Sequence, residues 1–182
     1  VACVGNDGIG KYLIEELKRV GLEERYIQLS GTFPTSLVLV ARSKDTPDFI
    51  AYRMADKQIL PIAEATIDEV AIVHSCAFAL SQEPARASIL EAFSYAHKRG
   101  KLVSVDWNFA PQIWGQDDGK AVLGEICNYS PLIKFSLDDV ARFAGQDLSI
   151  SSAKDFISSY KARLKVLTCG SQGVWYTANG DA

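Results

Sequence analysis

The chain has 182 residues, 48% of them apolar and 23% charged, with a formal net charge of −3. That is the composition of a globular protein long enough to bury a sizeable core. The mild acidity argues against nucleic acid or an anionic membrane as partner, because both reward dense Lys/Arg patches, and no apolar run reaches bilayer length.

Residues 1–4 read as a short strand rather than a signal peptide, since they carry no basic n-region. Gly5-Asn-Asp7-Gly8-Ile-Gly10 follows as a turn. Residues 8–20 form a helical pattern with Ile9, Leu13, Leu17 and Val20 on one face, closed by Gly21. Residues 26–29 read as a second strand. Residues 35–42 and 48–53, joined by the turn-rich 43–47, read as a β-hairpin. A hairpin inside a strand–helix series departs from the main sheet, so a small lid is expected at about 32–54.

Alternation then resumes, with a strand at 70–74, a helix at 84–99 closed by Gly100, a strand at 102–106, a helix at 120–129 and a strand at 132–135. Helices at 137–144 and 153–164 and strands at 165–168 and 174–177 complete the chain. Strands alternating with helices imply right-handed parallel βαβ units, hence one α/β domain over 1–182 with a mostly parallel sheet. Both ends read as cut. Residues 179–182 look like a hairpin turn without a second arm, as expected of an interior piece of a longer domain. Cys3, Cys76, Cys127 and Cys169 have no metal-ligand spacing. They read as small buried thiols in a reducing compartment, and the expected location is cytoplasmic.

In open α/β sheets ligands bind beyond the carboxyl ends of strands. The apolar run from Val103 to Val105 stops at Asp106-Trp-Asn108, followed by a proline-broken loop carrying Trp114. The acid and the amide suit hydroxyl groups; the structural alternative is an Asx-type turn. Trp107 and Trp114 read as packing residues. Arg53, ending the hairpin, either donates to a bound polyol, pairs with Asp56, or lies on the surface. The glycine turn at 5–10 either presents N–H groups to an anion or is a tight strand-to-helix turn. His74 has no partner at ligand or triad spacing and reads as packed or solvated; His97 reads as a surface residue. Ser136 is a natural N-cap with Asp139 three residues on, a capping-box spacing. Asp139 would alternatively act through water on a nucleotide-bound Mg²⁺. In Thr168-Cys-Gly170-Ser-Gln-Gly173 the glycines permit close approach of backbone to a phosphate or nucleobase, or make an ordinary turn.

Taken in order, these motifs resemble the pfkB, or ribokinase-like, family of carbohydrate kinases. The residues that carry the resemblance are Gly5/Asp7/Gly10, Thr35, Arg53-Met-Ala-Asp56, Leu80-Ser-Gln-Glu-Pro84, Asp106-Trp-Asn108, Lys134-Phe-Ser136-Leu-Asp-Asp139 and Thr168/Gly170/Gly173. The chain is most similar to the fructokinase branch. The resemblance implies a three-layer α/β/α domain with a β-hairpin lid, and transfer of the ATP γ-phosphate to a hydroxyl of a fructose-like hexose. It implies that Arg53, Asp106 and Asn108 lie on the sugar side. Lys134, Ser136, Thr168, Gly170 and Gly173 would lie on the nucleotide side, with Asp139 organising Mg²⁺.

Three departures from the family pattern accompany it. Phe109 stands where related kinases usually carry Arg, which suits a neutral sugar better than a sugar acid. Asp139 replaces the usual Glu. The Gly-Ala-Gly-Asp segment that supplies the general base is absent, as is the N-terminal Gly-Gly substrate loop. Asp181 reads as turn, no catalytic base is assigned, and the chain alone is not expected to turn over. Other acceptors (2-keto-3-deoxygluconate or a nucleoside), a noncatalytic sugar-binding or regulatory homologue, and an unrelated α/β domain without the flap are the rival readings. Lids of the family often make dimer contacts, which Leu37 and Leu39 would suit.

Overall fold

The computed structural model describes residues 1–41 and 48–178; the connection expected at 43–47 and the turn expected at 179–182 lie outside them. The chain forms two compact units, one of residues 1–60 with 83–88, the other of residues 61–82 with those from 89 onward.

In the first unit, β1 (Ala2–Gly5), α1 (Gly8–Arg19) and β2 (Ile27–Ser30) make a parallel strand–helix–strand, with Ala2 opposite Ile27 and Gly5 opposite Ser30. Gly21, at φ +82°, ends the helix as its position predicts. On the apolar face of α1, Ile9, Leu13 and Val20 are exposed and Leu17 is half-buried, while Gly10 is the buried residue of the helix. The reason is steric. A Cβ on Gly10 would stand 2.1 Å from the Gly5 carbonyl oxygen, so the helix meets β1 backbone to backbone at its glycine end. The expected hairpin is present as β3 (Leu37–Ala41) against β4 (Asp48–Tyr52), antiparallel, with Leu37 opposite Tyr52. A two-stranded ribbon has no second layer of its own. Leu37, Val38, Leu39, Val40, Ile50 and Tyr52 are accordingly all exposed.

The second unit begins with α2 (Glu64–Asp68), β5 (Ile72–Cys76) and α3 (Ala77–Leu80); α4 (Ala85–Lys98) follows in the chain. Next come β6 (Leu102–Asp106), α5 (Pro111–Trp114), α6 (Gly119–Ile126), β7 (Leu132–Ser136), α7 (Leu137–Ala144), α8 (Ile150–Ser158), β8 (Leu164–Thr168) and β9 (Val174–Ala178). The sheet runs β5-β6-β7-β8-β9, parallel except for β9. In-register partners put Val103, Val105, Ile133, Phe135, Lys165 and Leu167 on one face, all buried. The apolar ones contribute about 1.5–3 kcal/mol each through burial. Lys165 is admitted to this face because its Nζ donates to the carbonyls of Ser158 (3.2 Å) and Tyr160 (3.1 Å) at the end of α8.

Several element boundaries shift, three of them for a reason visible in the hydrogen bonds. The helix expected at 153–164 runs Ile150–Ser158: the Ser149 hydroxyl accepts from Ser152 N–H and starts it early, while Leu164 pairs with Leu132 in the sheet. The helix expected at 120–129 tightens to a 3₁₀ turn at Cys127–Tyr129. The strand expected at 70–74 begins at Ile72, because Val70 N–H is held in a turn by the Ile67 carbonyl.

Candidate functional site

Beyond β6 the Trp107 N–H donates to the Lys134 carbonyl at 2.8 Å, extending the ladder one residue past Asp106. Asp106 lies opposite Lys134, and Ser136 opposite Thr168. Period-2 alternation therefore puts Asp106, Lys134, Ser136 and Thr168 on the less buried face, with Asp106, Ser136 and Thr168 at the carboxyl ends of their strands and Lys134 in the middle of β7. Lys134 Nζ lies 3.0 Å and 3.3 Å from the two oxygens of Asp106. The side chains are 38% and 33% exposed, and a pair this exposed contributes up to about 1 kcal/mol to stability. Asn108 is exposed, and its Oδ1 accepts from Phe78 N–H at 3.4 Å.

Ser136 ends β7 and caps α7. Its hydroxyl accepts from Asp139 N–H (3.1 Å), and Asp139 Oδ2 accepts from Ser136 N–H (3.0 Å) and Ser136 Oγ (2.5 Å), completing the expected capping box. The other oxygen of Asp139 accepts from Arg142 Nη2 at 2.5 Å, and Arg142 Nε donates to the Phe109 carbonyl at 3.0 Å. Asp139 is buried and both its oxygens are engaged. Among the described residues no group of three or more His, Cys, Asp or Glu is placed to hold a metal ion.

The β8–β9 connection is a 3₁₀ turn at Gly170–Gln172, closed by Cys169 N–H donating to the Gly173 carbonyl at 2.9 Å. Gly170 has φ +56°, and Gly173 has φ +93° with ψ −154°. The second conformation is essentially reserved for glycine. Nothing stands within 4 Å of where a Cβ would sit on either residue, so the turn presents open backbone.

A model of the pfkB family carbohydrate kinases matches residues 1–182. The chain belongs to the pfkB family. It is 33% identical over 184 residues to an ATP-dependent 6-phosphofructokinase of Thermoanaerobacterium thermosaccharolyticum, covering all of this chain and 56% of that protein. It is 26% identical over 186 residues to a fructokinase of Klebsiella pneumoniae, again over the whole chain and 60% of the relative. The fructokinase structure of Halothermothrix orenii superposes with a TM-score of 0.88 at 31% identity, over 97% of this chain and 64% of that one. The chain thus spans less than two thirds of these relatives, and its fold is the ribokinase-like α/β fold with its small antiparallel ribbon.

Within this pfkB chain the remaining motif positions are bonded into the first unit or along the sheet. Asp7 caps α1 by accepting from Gly10 N–H (2.8 Å), and also accepts from Thr35 N–H (2.7 Å) and Oγ1 (2.8 Å), while Thr35 Oγ1 accepts from Gly5 N–H (3.0 Å). The N–H groups of Gly5 and Gly10 are thereby consumed internally, as the tight-turn reading requires. These bonds, led by the one from Gly10, hold the Asp7 carboxyl below its ordinary range. Arg53 is buried, and its Nε donates to Asp56 Oδ2 at 2.5 Å; Asp56 also accepts from the Ser36 hydroxyl and from Met54 N–H (3.1 Å). The arginine is therefore the salt-bridge partner of Asp56 rather than a surface residue. His74 is exposed and bonded across the strands to Ser104 Oγ at 3.0 Å.

Phe109 sits in an aromatic cluster, with ring centroids 5.7 Å from Trp114 and 4.8 Å from Phe143, which in turn lies 5.4 Å from Trp107. Both tryptophans are buried, as their packing reading required. Gly119 is small for this cluster: a Cβ there would come 2.8 Å from the Phe109 ring. Arg142, Phe143 and Gly119 were not singled out in the sequence. For Arg142 the available signal was its i+3 spacing from Asp139 on a helix.

Proposed function

We propose that this chain is the central part of an ATP-dependent kinase that transfers the γ-phosphate of Mg-ATP to a hydroxyl of a fructose-like hexose. The observation that supports it best is the Asp106–Lys134 pair on the less buried face, where β6 ends beside β7. An ion pair that contributes so little to the fold exchanges partners at low cost. Asp106 then accepts from sugar hydroxyls, with Asn108 beside it, while Lys134 turns its ammonium to phosphate. Ser136 and Thr168 lie in the adjacent row, and the open glycine backbone at Gly170 and Gly173 is suited to close approach by a nucleotide. Arg53, held by Asp56, keeps in this proposal the sugar-side role that the family resemblance implies. The general base is assigned outside residues 1–182.

Mg²⁺ keeps several waters and binds chiefly through substrate phosphates, so one carboxylate suffices on the protein. Asp139 fits that role through water, since its oxygens are already bonded to Ser136 and Arg142. Bound metal supplies charge neutralisation of the transferring phosphoryl group. Cytoplasmic location and a homodimer through the lid, with Leu37 and Leu39 as contact residues, belong to the same reading. No helix among the described residues is long and apolar enough to cross a membrane.

A second acceptor, fructose 6-phosphate, is favoured by the likeness to a 6-phosphofructokinase. Phe109, which brings no cation, favours the neutral hexose. The test is ATP consumption by the full-length parent with Mg²⁺ and a panel of fructose, fructose 6-phosphate, ribose, 2-keto-3-deoxygluconate and adenosine, beside Asp106→Asn. Turnover of fructose, lost in the variant while nucleotide binding persists, supports the proposal. Turnover of fructose 6-phosphate alone supports the second acceptor. Sugar binding without turnover of any compound makes the noncatalytic reading the better one.

A further inference from the structure

We propose that Arg142 is a positioning residue that ties the sugar-side loop to the metal-side carboxylate, so that the two half-sites keep one mutual geometry. The names of the two sides rest on the function proposed above. One planar guanidinium makes both contacts, Nε to the Phe109 carbonyl at 3.0 Å and Nη2 to Asp139 Oδ1 at 2.5 Å. Because the donors are fixed in one plane, the two acceptors cannot shift independently while both bonds persist.

Each acceptor is itself anchored in its own half-site. Asp139 is buried and bonded through its other oxygen to Ser136, at the end of β7. Phe109 follows Asn108 directly, and its N–H donates to the Trp107 carbonyl at 2.9 Å; the Trp107 N–H returns to Lys134 at 2.8 Å. The residue after Arg142, Phe143, holds the Phe109 ring at 4.8 Å, so α7 grips this loop by backbone and by side chain. For a residue 37% exposed, a bond to its own helix together with a second bond to a loop 33 residues away is more than a surface arginine needs.

The test uses the full-length parent with Arg142→Ala and Arg142→Lys. Two readouts are taken: KM for sugar and for Mg-ATP, and amide hydrogen exchange without ligands at 107–110 and 136–140. The alanine variant should raise both KM values about tenfold and quicken exchange in both segments, as expected for losing charge-assisted bonds. The lysine variant, a point charge able to serve Asp139 but not both acceptors, should restore the nucleotide KM and leave the sugar KM high. Values within twofold of wild type, or a rise on the nucleotide side alone, would overturn the proposal even if the melting temperature falls. If the wild-type parent shows no turnover, it is the proposed function that fails, and exchange then decides: acceleration in both segments supports the tie, and acceleration in 136–140 alone or in neither refutes it. Should the alanine variant not fold, Arg142→Gln replaces it.

Discussion

Replacing Asp139 measures what this carboxylate does for the fold. Asp139→Ala removes the return half of the capping box and the partner of Arg142. A capping interaction contributes about 1–2 kcal/mol. The Arg142 bond, on a side chain 37% exposed, adds about 0.5–1 kcal/mol once solvent screening is allowed for. The expected destabilisation is therefore about 1.5–3 kcal/mol. It should appear as a fall of roughly 1 M in the urea midpoint at unchanged slope, followed by fluorescence of the buried Trp107 and Trp114. Asp139→Glu keeps charge and acceptor, and N3 Glu is the usual capping-box residue, so it should stay within about 1 kcal/mol of wild type. An alanine variant within about 0.5 kcal/mol of wild type, the range of plain surface substitutions, would refute the view that Ser136 and Arg142 hold this carboxylate.

Two glycines of one helix should respond oppositely. Gly8→Ala enters open, exposed space and should stabilise by about 0.4–1 kcal/mol, whereas Gly10→Ala drives a Cβ to 2.1 Å from the Gly5 oxygen and should cost about 3 kcal/mol or more in thermal or urea unfolding. The depressed Asp7 carboxyl should make stability pH-dependent: its contribution is complete above the unfolded value near pH 4 and lost as pH falls through the lower folded value. Asp7→Asn should flatten that part of the acid profile, which paired unfolding curves at falling pH will read. In the β8–β9 turn, Gly170→Asn should be nearly neutral at φ +56°, while Gly173→Ala should cost about 1–3 kcal/mol by thermal unfolding.

How far the sequence carried depends on the range of the interaction involved. Leu102–Asp106 was expected with its observed bounds, because an apolar run between Gly100-Lys101 and an acid has one reading. The capping box was legible too, since both its members lie within four residues. The four-residue helices α3 and α5 were missed, being too short to show periodicity, although Pro111 at the first position of α5 was a usable signal. The Asp106–Lys134 pair was not legible. The two residues had been assigned to opposite substrates, and only the adjacency of β6 and β7 brings them together across 28 positions. The Arg142 contact to Phe109 was still less accessible, because its acceptor is a backbone carbonyl that no side chain advertises. The docking of α1 through glycine rather than through its apolar stripe was not legible either, since close backbone approach leaves no periodic signal.

The ring of Phe109 lies over a helix turn where position 119 has no Cβ, and this gives the two positions a joint history. A Cβ at 119 comes 2.8 Å from the Phe109 ring while phenylalanine is present, and keeps only the Phe143 ring, at 3.4 Å, as a neighbour once 109 carries a residue that swings away. The two substitutions are therefore coupled: 119 accepts a Cβ with less displacement after 109 has changed than before. A lineage exploring new chemistry beside Asp106 and Asn108 meets less resistance by changing the loop first, and a helix that has since lost its glycine would disfavour the return of the phenylalanine.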